Sequence, residues 1–186
     1  MKLRWLGNSC VEIFADKHVL IDPNCVMEPE PGIDYVLVTH EHSDHFDVEK
    51  FKKIDTRHLI APRYVLEQFG LDGIAAEAGK EIDGIKILES WCWKAVESYS
   101  YYYAGVLHPG DSAKFPEAKN VKVVFTACFP DFYDEYITEM KRLKPGLVVP
   151  FHYSPEKKAN AEGLAERLKE EGIPCRILEV GEVLEI

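Results

Sequence analysis

With 22 Lys and Arg against 32 Asp and Glu, this chain of 186 residues carries a formal charge of −10. It therefore lacks the basic surface that phosphate backbones require, and no nucleic-acid partner is expected. The length suits one domain, residues 1–186, with a sizeable core, and no run of about 18 apolar residues or leader-like start points to a spanning helix or a secretory signal.

Along the chain, residues 2–6, 10–14 and 18–21 read as short antiparallel strands joined by tight polar turns. Tyr35-Val36-Leu37-Val38 is a buried strand that ends in Thr39-His40-Glu41-His42-Ser43-Asp44-His45. Asp47 is placed to cap a helix through Val48, Phe51 and Ile54. His58 opens a strand-like stretch, and Pro62 and Gly70 bracket a second helix through Tyr64, Val65 and Phe69. Strands are expected around Ile82, Ile85 and Ile87 and over residues 98–107, with a tight hairpin turn at Ala104-Gly105. Residues 121–126 read as a buried strand, 131–143 as a helix, and 146–151 as a strand feeding His152. A last helix over 160–171 stops at Gly172, before strands at 175–180 and 183–186. Strands followed by helices between further strands imply a mixed α/β fold.

The five cysteines, Cys10, Cys25, Cys92, Cys128 and Cys175, are odd in number and scattered without close pairs. That usage favours a reducing cytoplasm over a disulfide framework or a zinc ribbon. The densest chemistry lies in His40 to His45, where three imidazoles and two carboxylates share six residues. Such groups are costly to bury at a strand end unless an ion or ligand satisfies them. Imidazole nitrogen and carboxylate oxygen suit zinc, iron or manganese.

The spacing His-x-His-x-Asp-His, after a hydrophobic strand and before a helix, resembles the metallo-β-lactamase fold superfamily. Gly110-Asp111-Ser112 and Val148-Val149-Pro150-Phe151-His152 are similar to later elements of that family. Leu6-Gly7-Asn8-Ser9 and Ile21-Asp22-Pro23 are similar to the opening motifs of its small lactonase-like members. The resemblance implies a four-layer αβ/βα sandwich of two mixed sheets, with helices outside and metals at one edge. It places His40 and His42 on a first metal, Asp44, His45 and His152 on a second, and Asp111 between them. The family's third histidine for the first metal is missing. His58 and His108 sit wrongly for it and are expected to be structural or solvent-facing, and His18 has no site role. Counting along residues 85–90 puts the missing ligand near Trp91, Cys92 or Trp93. Cys92 is the chemically credible substitute because a thiolate binds zinc as well as imidazole does. Its alternative is a small buried hydrophobe, and Glu89 is a weaker stand-in.

The activity implied is a zinc hydrolase, holding one or two ions with iron or manganese as options. A metal-bound hydroxide would attack an ester, lactone, amide or phosphodiester of a small molecule. Asp44 is the catalytic candidate, orienting the attacking water as well as binding metal. Asp22 is read either as a partner that orients a ligand imidazole or as the turn chemistry of an Asp-Pro pair. Most of Trp91, Trp93, Tyr99, Tyr101, Tyr102 and Tyr103 are expected in the core. The rest, with Phe129, Phe132, Tyr133 and Asn8, are candidates for a pocket wall. The same scaffold also allows an iron-binding redox protein or a non-catalytic member. Oligomeric state is not encoded in these motifs.

Overall fold

The computed structural model describes every residue from Met1 to Ile186. The first sheet begins with β1 (Lys2–Trp5), β2 (Val11–Phe14), β3 (His18–Ile21), β4 (Ile33–Leu37), β5 (Thr56–Ala61) and β6 (Ile74–Ala75). The second contains β7 (Glu81–Ile82), β8 (Ile85–Glu89), β9 (Tyr99–Tyr103), β10 (Val106–His108), β11 (Val123–Ala127) and β12 (Leu147–Phe151). The last strand, β13 (Val183–Glu185), returns to the first sheet, whose order is β13-β1-β2-β3-β4-β5-β6; the second runs β12-β11-β10-β9-β8-β7. Both sheets are mixed: β3 to β6 and β10 to β12 are parallel, and the other pairs are antiparallel.

Alternation along the strands explains the layering. In β4, Tyr35 and Leu37 join the core between the sheets. Val36 and then Val38 face the opposite way, into a smaller cluster with Leu20, Leu59 and Val65. That outer cluster is covered by α1 (Val48–Phe51) and α2 (Arg63–Phe69), which supply Val48, Phe51, Leu66 and Phe69. A strand buried on both faces reads as an uninterrupted apolar run, and each fully buried Val or Leu contributes about 1.5–3 kcal/mol. On the second sheet, α3 (Tyr133–Leu143) buries Tyr136, Ile137 and Met140, and α4 (Lys158–Glu170) buries Ala161, Leu164 and Leu168. The result is the expected αβ/βα sandwich.

The cap signals lie where the sequence puts them, although α1 ends at Phe51 and does not reach the expected Ile54. Asp47 accepts from the backbone N–H groups of Glu49 and Lys50 at 2.9 and 3.1 Å, and Gly70 closes α2 in the left-handed region at φ 61°. The helix expected from 131 begins with a 3₁₀ turn, Pro130–Phe132, and becomes α at Tyr133.

Two further expectations are corrected. Residues 175–180 form no strand beyond one bridge between Val148 and Cys175. The apolar side chains there serve packing, with Leu178 buried and Ile177 and Val180 against the core, while the backbone pairs with β12 at that one bridge alone. The two-residue β6 and β7 are too short to show a period. Cys10 and Cys25 are joined in a disulfide across 15 residues of sequence, leaving Cys92, Cys128 and Cys175 free. The loop after β3 folds back over the β1–β2 turn, where the N–H groups of Val26 and Met27 both donate to Leu6 O. Spacing along the chain cannot reveal that return. His18 lies 2.9 Å from the buried Glu12 carboxylate, which also pairs with Arg4. His58 is exposed and stacks on Tyr35. No helix is long and apolar enough to cross a membrane.

Candidate metal centre

The loops after β4, β8, β10 and β12 converge at one edge of the sandwich. There the backbone N–H of Tyr99 donates to Thr39 O at 2.9 Å and the Tyr101 hydroxyl donates to Val38 O at 2.9 Å, tying the sheets together beside the His-rich loop. Donor atoms of His40, His42, Cys92 and Asp111 lie within 4.8 Å of one another, as do those of Asp44, His45 and His152. In the first group Cys92 Sγ is 3.4 Å from His40 Nε2 and 3.6 Å from His42 Nδ1. In the second, His152 Nε2 is 3.0 Å from His45 Nε2 and 3.3 Å from an Asp44 oxygen. Asp111 spans the two, with Oδ1 3.8 Å from His40 Nε2 and Oδ2 3.8 Å from His45 Nε2. All seven candidate ligands from the sequence are thus brought together. Glu89, the weaker stand-in, is exposed and belongs to neither group.

Asp22 is fully buried beneath the loop. Its Oδ1 accepts the Thr39 N–H at 2.7 Å, and its Oδ2 accepts the Thr39 hydroxyl at 2.8 Å and faces His45 Nδ1 at 2.6 Å. Burial raises the pKa of this carboxyl, while three converging donors favour its ionised form. With the Thr39 proton directed at Asp22, its oxygen is free to accept from His40 Nδ1, 3.0 Å away. The network therefore assigns the proton of both His40 and His45 to Nδ1 and turns both Nε2 lone pairs toward Asp111. Asp22 is the orienting partner, and Thr39, which the sequence reading passed over, is the relay. Its signal was a hydroxyl at the end of an otherwise apolar strand.

The electrostatics suit a cation. Burial lowers the pKa of His40 to about 4 and of His45 to about 3, so both are neutral at pH 7, the form in which imidazole can bind a metal. Burial and the adjacent Asp111 push the Cys92 thiol up, a penalty that a coordinated metal reverses. Asp111 Oδ1 is buried without a hydrogen-bond partner. Two imidazole nitrogens 3.0 Å apart in one group, and an unpartnered carboxylate oxygen facing His40 in the other, are arranged as metal donors are. The residues present fit one metal in each group.

The surrounding backbone is held in unusual conformations. Asn8, Asp22 and His152 have φ of 49°, 53° and 64°, in the left-handed region that non-glycine residues seldom occupy. The His152 N–H donates to Asn8 O at 2.9 Å, the Ser9 hydroxyl donates to Asp44 O at 2.8 Å, and the Asn24 amide donates to Ser43 O at 2.7 Å. The aromatics divide as expected: Tyr101 and Tyr103 are buried, whereas Trp91 and Trp93, flanking Cys92, are 43% and 80% exposed. Lys114 and Lys94 sit over those indoles at 4.3 and 4.1 Å. Phe129 lies against His152 with centroids 5.2 Å apart, and Tyr133 is tied to Asn160 O.

Known proteins resemble this chain in sequence and in fold. The Beta-lactamase superfamily domain family matches residues 2–152. A UPF0173 metal-dependent hydrolase of Nanoarchaeum equitans is 27% identical over 100% of both chains. The UPF0173 protein of Pyrococcus furiosus is 32% identical over 93% of each chain. The metallo-beta-lactamase fold protein YhfI from Bacillus subtilis superposes with a TM-score of 0.72 at 15% identity, covering 100% of this chain and 98% of its own. The chain therefore belongs to the beta-lactamase superfamily, as a small metallo-β-lactamase-fold protein of the UPF0173 family of metal-dependent hydrolases.

Proposed function

We propose that this protein is a zinc-dependent hydrolase of a small-molecule ester, lactone, amide or phosphodiester, with His40, His42, Cys92 and Asp111 holding one ion and Asp44, His45, His152 and Asp111 a second. The observation that carries this reading is Asp111, one carboxylate with an oxygen directed at each group of ligands. The thiol in the first group favours zinc over harder ions. Bound divalent ions supply Lewis acidity, lowering the pKa of a coordinated water and neutralising charge on the attacked oxygen.

The chain's own residues supply orientation. Asp22 and Thr39 fix the imidazole tautomers, so no reorganisation is required when substrate arrives. The Asp44 side chain is 56% exposed and stays ionised, its pKa lowered chiefly by the His152 hydrogen bond. It accepts a hydrogen bond from the attacking water and directs a lone pair toward the electrophile. Trp91 and Trp93, exposed on either side of Cys92 with Lys114 and Lys94 over their rings, offer the remainder of the substrate aromatic and cationic contacts. A cytoplasmic location fits the three free thiols, and the single Cys10–Cys25 bridge is of a kind found inside hyperthermophiles.

The test is hydrolysis of nitrophenyl esters, simple lactones and bis-nitrophenyl phosphate by wild type and Asp111→Ala, before and after chelation and zinc return. Activity lost on chelation, restored by zinc and missing in the variant is expected. Chelated protein as fast as the zinc form would remove the proposal.

A further inference from the structure

His108 is fully buried and lies outside both groups of ligands. Its Nε2 is 3.1 Å from Ser9 O, and its Nδ1 accepts the Gly110 N–H at 3.2 Å. A backbone carbonyl can only accept and a backbone N–H can only donate, so the imidazole is fixed as the Nε2–H tautomer. Each of its two contacts leads to a different part of the metal centre. Gly110 immediately precedes Asp111, and its φ of 65° makes the turn that presents that carboxylate. Ser9 donates through its hydroxyl to Asp44 O at 2.8 Å, while the neighbouring Asn8 O receives the His152 N–H at 2.9 Å. The turn itself is tied to a third segment: Pro109 O accepts the Ser90 hydroxyl at 2.9 Å, two residues before Cys92.

We propose that His108 is a positioning residue that sets the spacing of the two metal ions, its Nδ1 holding the bridging Asp111 through Gly110 and its Nε2 holding the Asp44 and His152 side through Ser9. This inference rests on the two-ion reading of the site. A residue kept only to fill the core against Phe151, whose ring lies 4.9 Å away at centroid, would need shape alone, and Phe would serve. A positioning residue needs both nitrogens. Asparagine and glutamine separate them, because the Asn amide reaches about as far as Nδ1 and the Gln amide about as far as Nε2.

The experiment loads wild type, His108→Asn, His108→Gln and His108→Phe with cobalt(II), and measures the affinity of each equivalent and the spin coupling between the ions by electron paramagnetic resonance. Wild type is expected to bind a coupled pair. His108→Asn keeps the Gly110 contact, so coupling through Asp111 survives while cobalt on the Asp44 side binds about 10–100-fold more weakly, as for other partners that orient ligands. His108→Gln keeps the Ser9 contact, so the affinity on that side holds and the coupling is lost. His108→Phe loses both. If all three variants match wild type, or if Asn and Gln behave alike, the inference is overturned; that contrast decides even if the Phe variant does not fold. A wild type without a coupled pair would instead overturn the two-ion reading, and this inference with it.

Discussion

Replacing Asp22 with asparagine probes the network beneath the metal loop with almost no change of shape. The carboxylate takes three hydrogen bonds, all from buried donors: Thr39 N–H at 2.7 Å, Thr39 Oγ1 at 2.8 Å and His45 Nδ1 at 2.6 Å. Asparagine offers one acceptor oxygen in place of two. If that oxygen takes the Oδ2 position, its amide faces the Thr39 N–H and a buried donor goes unmade, costing about 1–3 kcal/mol in the metal-free protein. If it takes the Oδ1 position, its amide faces His45 Nδ1, and that nitrogen can accept only by moving its proton to Nε2, the atom turned toward His152 and Asp111. The second orientation removes a lone pair from the metal, where loss of such a partner costs about 10–100-fold in affinity, equivalent to about 1.4–2.7 kcal/mol. Competition with a chromophoric chelator measures the affinity, and urea unfolding of the metal-free protein measures the stability. The Asp22→Asn protein should lose on at least one of these scales, with metal on the His45 side affected more than metal beside Cys92. An unchanged affinity together with an unchanged urea midpoint would refute the assignment of the His45 tautomer.

Cys92→Ala should abolish the thiolate charge-transfer absorption of the cobalt form and weaken binding at the His40–His42 group; an intact band would return Cys92 to a packing role. Reducing the Cys10–Cys25 bridge frees a loop of 15 residues and should lower unfolding stability by about 3 kcal/mol; a urea midpoint unmoved by reductant would contradict this. Arg4→Met should cost about 3–5 kcal/mol, because Glu12 is fully buried and loses its guanidinium partner at 2.8 Å; thermal melting measures it, and a neutral effect would show that His18 alone compensates the charge. Metal-free protein should also lose stability on acidification from pH 6.5 toward 4.5. His40 and His45, depressed to about 4 and about 3 by burial, stay neutral when folded but take up protons when unfolded, so the unfolded state binds more protons across that window and stability falls with pH. A urea midpoint that is flat or rises on acidification would contradict the assignment.

What was legible in the sequence was what local order encodes. His40 to His45 lie within one loop, so their convergence follows from a strand end and a count of residues, and Asp111 and His152 follow their own strands in the same way. Cys92 could be placed by counting along β8 because a strand advances regularly. What could not be read depended on segments meeting in space. The Cys10–Cys25 bridge requires the loop after β3 to return over Gly7, where a Cβ would lie 2.6 Å from Val26 Cβ. Glu12 takes the outward position of the β2 alternation yet is fully buried, and is tolerated there because Arg4, His18 and the Glu30 N–H surround it. His108 looked merely structural because its partners, Ser9 and Gly110, are named only by the fold. Residues 175–180 are apolar enough to suggest a strand, but an apolar stretch reports which side chains are buried, not whether a neighbouring strand continues beside them.

Two ions sharing Asp111 are the centre of the proposed site, and metal content measures them most directly. Protein purified without a chelating tag should hold about two zinc ions per chain by plasma mass spectrometry, and Asp111→Ala about one or fewer. Wild type holding no more than one ion, or Asp111→Ala still holding two, would contradict a bridged pair.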